Sequence, residues 1–179
     1  MSHTAMKNCS YLVFVFLISI LLIQGCTNEY SADEYLERES VRSPLWGPLS
    51  SYMSLDEVMV ELSISEDHFQ VIDDGQTSVQ NAPPFDIYTI RIDNYKDDFE
   101  KAKLELTFFN DRLMEIRYFP SRVEEYVRSI EGLSDGHEVL KAPFTRIWLK
   151  KNNQINGVYV GWVDTRLEKQ FQAWLREYS

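Results

Sequence analysis

The chain has 179 residues, of which 28 are acidic and 18 basic, a formal charge of −10. Phosphate recognition needs clustered Lys and Arg on a basic domain, so this balance argues against nucleic acid as a partner. Two cysteines, Cys9 and Cys26, are too few for the framework of a disulfide-stapled secreted domain.

The first segment has the parts of an export signal. Lys7 supplies a positive n-region, the thirteen residues from Tyr11 to Ile23 an apolar h-region, and small Gly25 precedes Cys26. Roughly 20 apolar residues are needed to cross a bilayer, so the run is short for a permanent span. Cys26 has no neighbouring Cys or His for a zinc site, and Glu29, Asp33, Glu34 and Glu37 discourage a reactive thiolate. Read from Met6, which competes with Met1 as the start, MKNCSYLVFVFLISILLIQGC resembles a bacterial lipoprotein signal with Ile23-Gln24-Gly25-Cys26 as its lipobox. An uncleaved anchor and an ordinary cleaved signal are the alternatives. The resemblance implies removal of residues 1–25, diacylglycerol and acyl (palmitate) attachment at Cys26, and, since Thr27 and not Asp follows, the periplasmic face of a Gram-negative outer membrane. Loss of 25 residues leaves 154, enough for one domain, and takes away one basic residue, Lys7, for a charge of −11.

Residues 26–51 read as the lipidated N-terminus and a tether, acidic and broken by Pro44 and Pro48. Within it SPLWGPLS sets Leu45 and Trp46 between two prolines. Trp46 is expected either to pack on the domain as a strap or, with Leu45, to dock a partner.

Residues 52–179 read as a single domain. Ser54 and Glu57 form a capping box for a helix with Leu55, Val58, Met59 and Leu62 on one face. A second short helix is expected from Ser65, with Phe69 and Ile72 inward and a stop at Asp73-Asp74-Gly75, giving an αα-hairpin. Three strands follow. FDIYTIRID starts at Phe85, and KLELTFF alternates Leu104, Leu106 and Phe108 with Lys103, Glu105 and Thr107 before Asn110-Asp111 turns into LMEIRYF. Ser121 with Glu124 caps a helix carrying Val123, Tyr126, Val127 and Ile130. The hairpin TRIWLKK and GVYVGWVD comes next, and Thr165 with Glu168 caps a last helix bearing Leu167, Phe171, Trp174, Leu175 and Tyr178. The expected order is ααβββαββα, an α+β fold with about five antiparallel strands and helices on one face.

MSLDEVMVEL, then an aromatic strand and LELTFFNDRLMEI, resemble the BamE/SmpA family of small outer-membrane lipoproteins, over residues 52 to 119. The β-lactamase inhibitor proteins have a related fold. Tyr52 stands where that family usually has glycine, and residues 120–179 have no counterpart in its short members. The resemblance implies a protein-interaction role in the cell envelope, in outer-membrane assembly.

No Gly-x-Ser-x-Gly elbow, phosphate-binding glycine loop or His-Glu-x-x-His occurs. His68 and His137 read as surface residues, and DNYKDDFE departs from a calcium loop at Tyr95 and Asp98. The expectation is therefore an adaptor with no catalytic residue, metal or cofactor. The alternative is a periplasmic enzyme or small-ligand carrier, its cleft lined by some of Trp46, Trp148, Trp162 and Trp174.

Overall fold

The computed structural model describes residues 30–38, 41–77, 79–96, 101–152 and 157–179. Cys26 and the whole apolar run lie outside them, as do residues 97–100 of the acidic loop. Among the described residues no helix is long and apolar enough to cross a membrane.

The described chain is built on one seven-stranded sheet. Its strands are β1 (Gln70–Thr77), β2 (Phe85–Lys96), β3 (Lys101–Phe109), β4 (Leu113–Phe119), β5 (Glu138–Ala142), β6 (Thr145–Asn152) and β7 (Gly157–Asp164). They lie in the order β1-β2-β3-β4-β7-β6-β5, with every neighbour antiparallel. Among the described residues three α-helices accompany the sheet, α1 (Leu55–Leu62), α2 (Val123–Ser129) and α3 (Thr165–Tyr178). The expected α+β order ααβββαββα is thereby corrected, with seven strands in place of about five.

The expected second helix is absent. Ser63 ends α1 in the left-handed region at φ 53°, and a single 3-10 turn, Glu66–His68, leads into β1. Both unexpected strands, β1 and β5, are the edges of the sheet. An edge strand has one partner and is wetted broadly, so nothing enforces apolar alternation on it. In β1 every residue but Gly75 is exposed.

Helices cover both faces, which corrects the one-sided arrangement. Alternate strand residues point to opposite faces. Leu104, Leu106 and Phe108 join a cluster with Val58 of α1 and, at its margin, Tyr126 and Val127 of α2. Phe109 belongs to a second cluster with Leu167 and Trp174 of α3. The two hairpin-then-helix units therefore send their helices to opposite sides.

One hairpin turn organises the whole. Asn110 and Asp111 have φ 51° and 52°, and Phe109 and Arg112 exchange backbone hydrogen bonds around them. Positive φ at both central residues defines the hairpin turn that asparagine and aspartate accept readily. Asn110 Nδ2 donates to the carbonyls of Tyr35 and Pro84. Asp111 accepts from the Leu55 amide and the Tyr88 hydroxyl, and pairs with Arg38 at 2.6 Å. Burial, and then Asp111, pushes the Tyr88 hydroxyl far above the ordinary tyrosine range.

Arg112 is wholly buried and no carboxylate sits on it. Its Nη1 donates to the carbonyls of Glu34 and Glu37 and to Gln170 Oε1, while Nε donates to Phe109 O. Burial drops its pKa to about 10. The segment before Tyr52 is thus a strap fixed to the domain: Tyr35 and Leu49 are fully buried, and Ser43 and Ser51 lie inside.

Candidate functional site

Helix α3 shields the turn-proximal half of its sheet face, through contacts with Phe109 and Val163. Toward the other end of the strands that face is polar. One register row crosses all seven strands there, Gln70, Arg91, Glu105, Arg117, Gly161, Trp148 and Glu138. Antiparallel sheets commonly leave one face to water, and the alternation Lys103, Glu105, Thr107 places such a face here.

Glu105 is buried within this row, and three cations converge on it. Arg91 donates to Oε1 from Nη2 at 2.9 Å and from Nε at 3.1 Å; Lys103 Nζ lies at 3.5 Å and Arg117 Nη1 at 4.0 Å from its oxygens. Arg117 also donates to Glu115. Burial lowers the proton affinity of the Arg117 guanidinium, but Glu115, Tyr159 and Glu105 together hold its pKa above the ordinary arginine value.

Beside these charges lies an aromatic pair. The rings of Phe119 and Tyr159 are 5.2 Å apart. Lys103 Nζ sits 3.7 Å above Phe119, and the Arg117 guanidinium 5.8 Å from the Tyr159 centroid. Phe119 is half-buried and Tyr159 buried, and the half-buried cations held against these rings present an amphipathic, low-entropy contact surface. A hollow of about 480 Å³ adjoins it, lined by Asp93, Asn94, Lys101, Ala102, Lys103, Phe119 and Ser121. In a chain of charge −10, this patch sets three cations, Arg91, Lys103 and Arg117, against two carboxylates, Glu105 and Glu115.

Gly161 keeps the row flat. A Cβ there would collide with the six-membered ring of Trp148, which lies across the strand at that point. Glycine in a strand interior often marks such a close approach.

Leu45 and Trp46 are engaged internally. Leu45 is buried; the Trp46 ring stacks on Tyr118 at 5.1 Å, and its Nε1 donates to the Tyr126 hydroxyl at 2.8 Å. Trp46 and Trp162 belong to the α1/α2 cluster, whereas Trp148 and Trp174 belong to the α3 cluster on the opposite face. The four tryptophans therefore do not line one cleft. His68 and His137 are exposed and make local contacts, with Ser65 and the Asp135 carbonyl. Among the described residues, no group of three or more His, Cys, Asp or Glu is placed to hold a metal ion.

Sequence reasoning did not single out Arg91, Lys103, Arg117, Phe119 and Tyr159. Their signal was the period-2 alternation itself, which shows that Lys103 and Glu105 share a face but not what stands opposite them. Compared with known proteins, the chain matches no family model, and no curated protein is similar to it.

Proposed function

We propose that this chain is an envelope lipoprotein, anchored through Cys26 at the periplasmic face of the outer membrane, whose folded domain binds a protein partner and works as an adaptor. The kinship with the BamE/SmpA superfamily, and a part in outer-membrane assembly, belong to this proposal. The observation that carries the binding role is the open half of the α3 face, where Lys103 and Arg117 stack on Phe119 and Tyr159 around buried Glu105. Desolvating a charge already backed by a ring costs less than stripping a free one, and Arg with aromatic residues is the composition of contact hot spots. Anchoring to a membrane raises the effective concentration of the domain toward neighbours in the same layer, so modest contacts suffice.

The test is crosslinking in membranes followed by purification of the full-length protein. The Lys103→Gln/Arg117→Gln variant, in which Arg91 still pairs with Glu105, is expected to lose a specific envelope protein that the wild type captures while circular dichroism reports the wild-type fold. Trp46→Ala, run beside it, tests the contact through Leu45 and Trp46. Capture unaffected by either variant overturns this site, and recovery of no partner at all, with turnover or a co-purifying small molecule, overturns the adaptor reading in favour of the enzyme or carrier.

A further inference from the structure

How far the domain stands from its anchor follows from where the strap becomes fixed. A 25-residue spacer up to Ser51 would reach about 90 Å when extended, at about 3.5 Å per residue. The strap does not permit this. Tyr35 is wholly buried, its carbonyl accepts from Asn110 Nδ2 at 2.9 Å, and Arg112 holds the carbonyls of Glu34 and Glu37 at 3.2 and 3.3 Å. Tyr30 is already packed, with its ring 5.7 Å from that of Tyr35. Three residues lie between Cys26 and Tyr30, four steps along the chain and a reach of about 14 Å at most.

Resting on the lipidation of Cys26, we propose that the end of the domain around Tyr30 sits directly against the bilayer surface. Tyr30, Phe85, Leu175 and Tyr178 gather at the margin of the α3 cluster, and exposed Val79 flanks Phe85 beside a hollow of about 500 Å³. Tyrosines at such a margin suit the headgroup level, where the ring meets acyl chains and the hydroxyl meets water. Asp33 and Glu34 are exposed next to the anchor, so the contact is held by the acyl chains and the apolar margin, not by attraction to anionic lipid. The far end of the sheet is well clear of the surface. Lys101 precedes Phe109 by eight residues on β3, about 27 Å at the strand rise. The open charged face, which runs along the strands, then stands upright from the membrane and is available to a partner in the same layer.

Cys9 and Cys26 are the only cysteines in the sequence, so after lipidation Val79→Cys or Lys101→Cys supplies one free thiol for a fluorophore. The lipidated protein would be reconstituted in vesicles of phosphatidylethanolamine and phosphatidylglycerol carrying a headgroup nitroxide. Strong quenching at position 79 and little at 101, insensitive to salt, is expected. A long Gly-Ser insert after Thr27 should abolish the difference. Equal quenching at both positions, or none at either while mass spectrometry finds the acyl chains, overturns the seat and leaves the anchor standing. Protein purified from membranes without acyl chains overturns the anchor and the seat together.

Discussion

At the scale of single residues, Gly161 shows how one atom shapes the candidate interface. Any side chain at 161 must displace the Trp148 ring, and overfilling a packed site costs about 1–3 kcal/mol. Gly161→Ala is expected to lower the denaturation midpoint by a corresponding amount. Adding Trp148→Leu should recover much of the loss, because the two changes share one collision and do not add. Additive losses in the double variant would mean that the ring is not what Gly161 accommodates. The interior glycine of GVYVGWVD marks a close approach from sequence alone, but the approaching residue comes from another strand and leaves no trace in that segment. The same limit hid Arg112, two of whose partners are backbone carbonyls 75 and 78 residues away and therefore have no residue type to recognise.

At the scale of elements, three Ser/Thr-x-x-Glu patterns were read as helix starts, and all three stand at or beside one. At Ser54 the box is closed in both directions, with Ser54 Oγ accepting from the Glu57 amide and Glu57 accepting from the Ser54 amide. Helix α2 instead has Arg122 at its N-cap, with no side-chain cap bond, and α3 is capped by Asp164, which accepts from the amides of Arg166 and Leu167. Ser54→Ala is expected to cost about 1 kcal/mol and Asp164→Ala at least as much, whereas Thr165→Val should be near neutral in a chemical melt. A larger loss for Thr165→Val than for Asp164→Ala would reverse the cap assignment.

Strands β2, β3, β4, β6 and β7 were legible because each meets a neighbour on both sides and, for the most part, an apolar cluster on at least one face. That double demand writes branched and aromatic residues into the sequence. Edge strands β1 and β5 face neither demand. QVIDDGQT, with its paired aspartates and glycine, carries the marks of a helix stop and a loop, and its charges are the device that keeps an open edge from pairing with other chains.

At the scale of the whole molecule, the strap binds parts that are distant in sequence. Thr145 Oγ1 donates to the Pro44 carbonyl and Arg166 Nη2 to that of Val41, across 101 and 125 residues. Its composition, acidic with two prolines, read as a spacer, because charge and proline content report local stiffness and solvation and say nothing of distant acceptors. Arg112→Ala takes from the partly buried carbonyls of Glu34 and Glu37 their common donor and empties a buried site, and an orphaned polar group costs about 1–3 kcal/mol where water does not replace the donor. Limited proteolysis should then cut within residues 30–42 much sooner than in the wild type, while the sheet core stays protected. A cleavage pattern identical to that of the wild type would mean that other contacts fix the strap.

Synthesis runs the other way from these contacts. Residues 30–52 leave the ribosome before the parts that hold them, for their resting places are built by the 110–112 turn, by Thr145, and by Arg166 and Gln170 of α3. Pairings this far apart are slow, because a long loop must close before any contact compensates it. The strap therefore gains its seat in stages and lacks its last two partners, Arg166 and Gln170, until the helix Thr165–Tyr178 has been made. A chain of this topology completes its closure from the helix Thr165–Tyr178 back onto the strap.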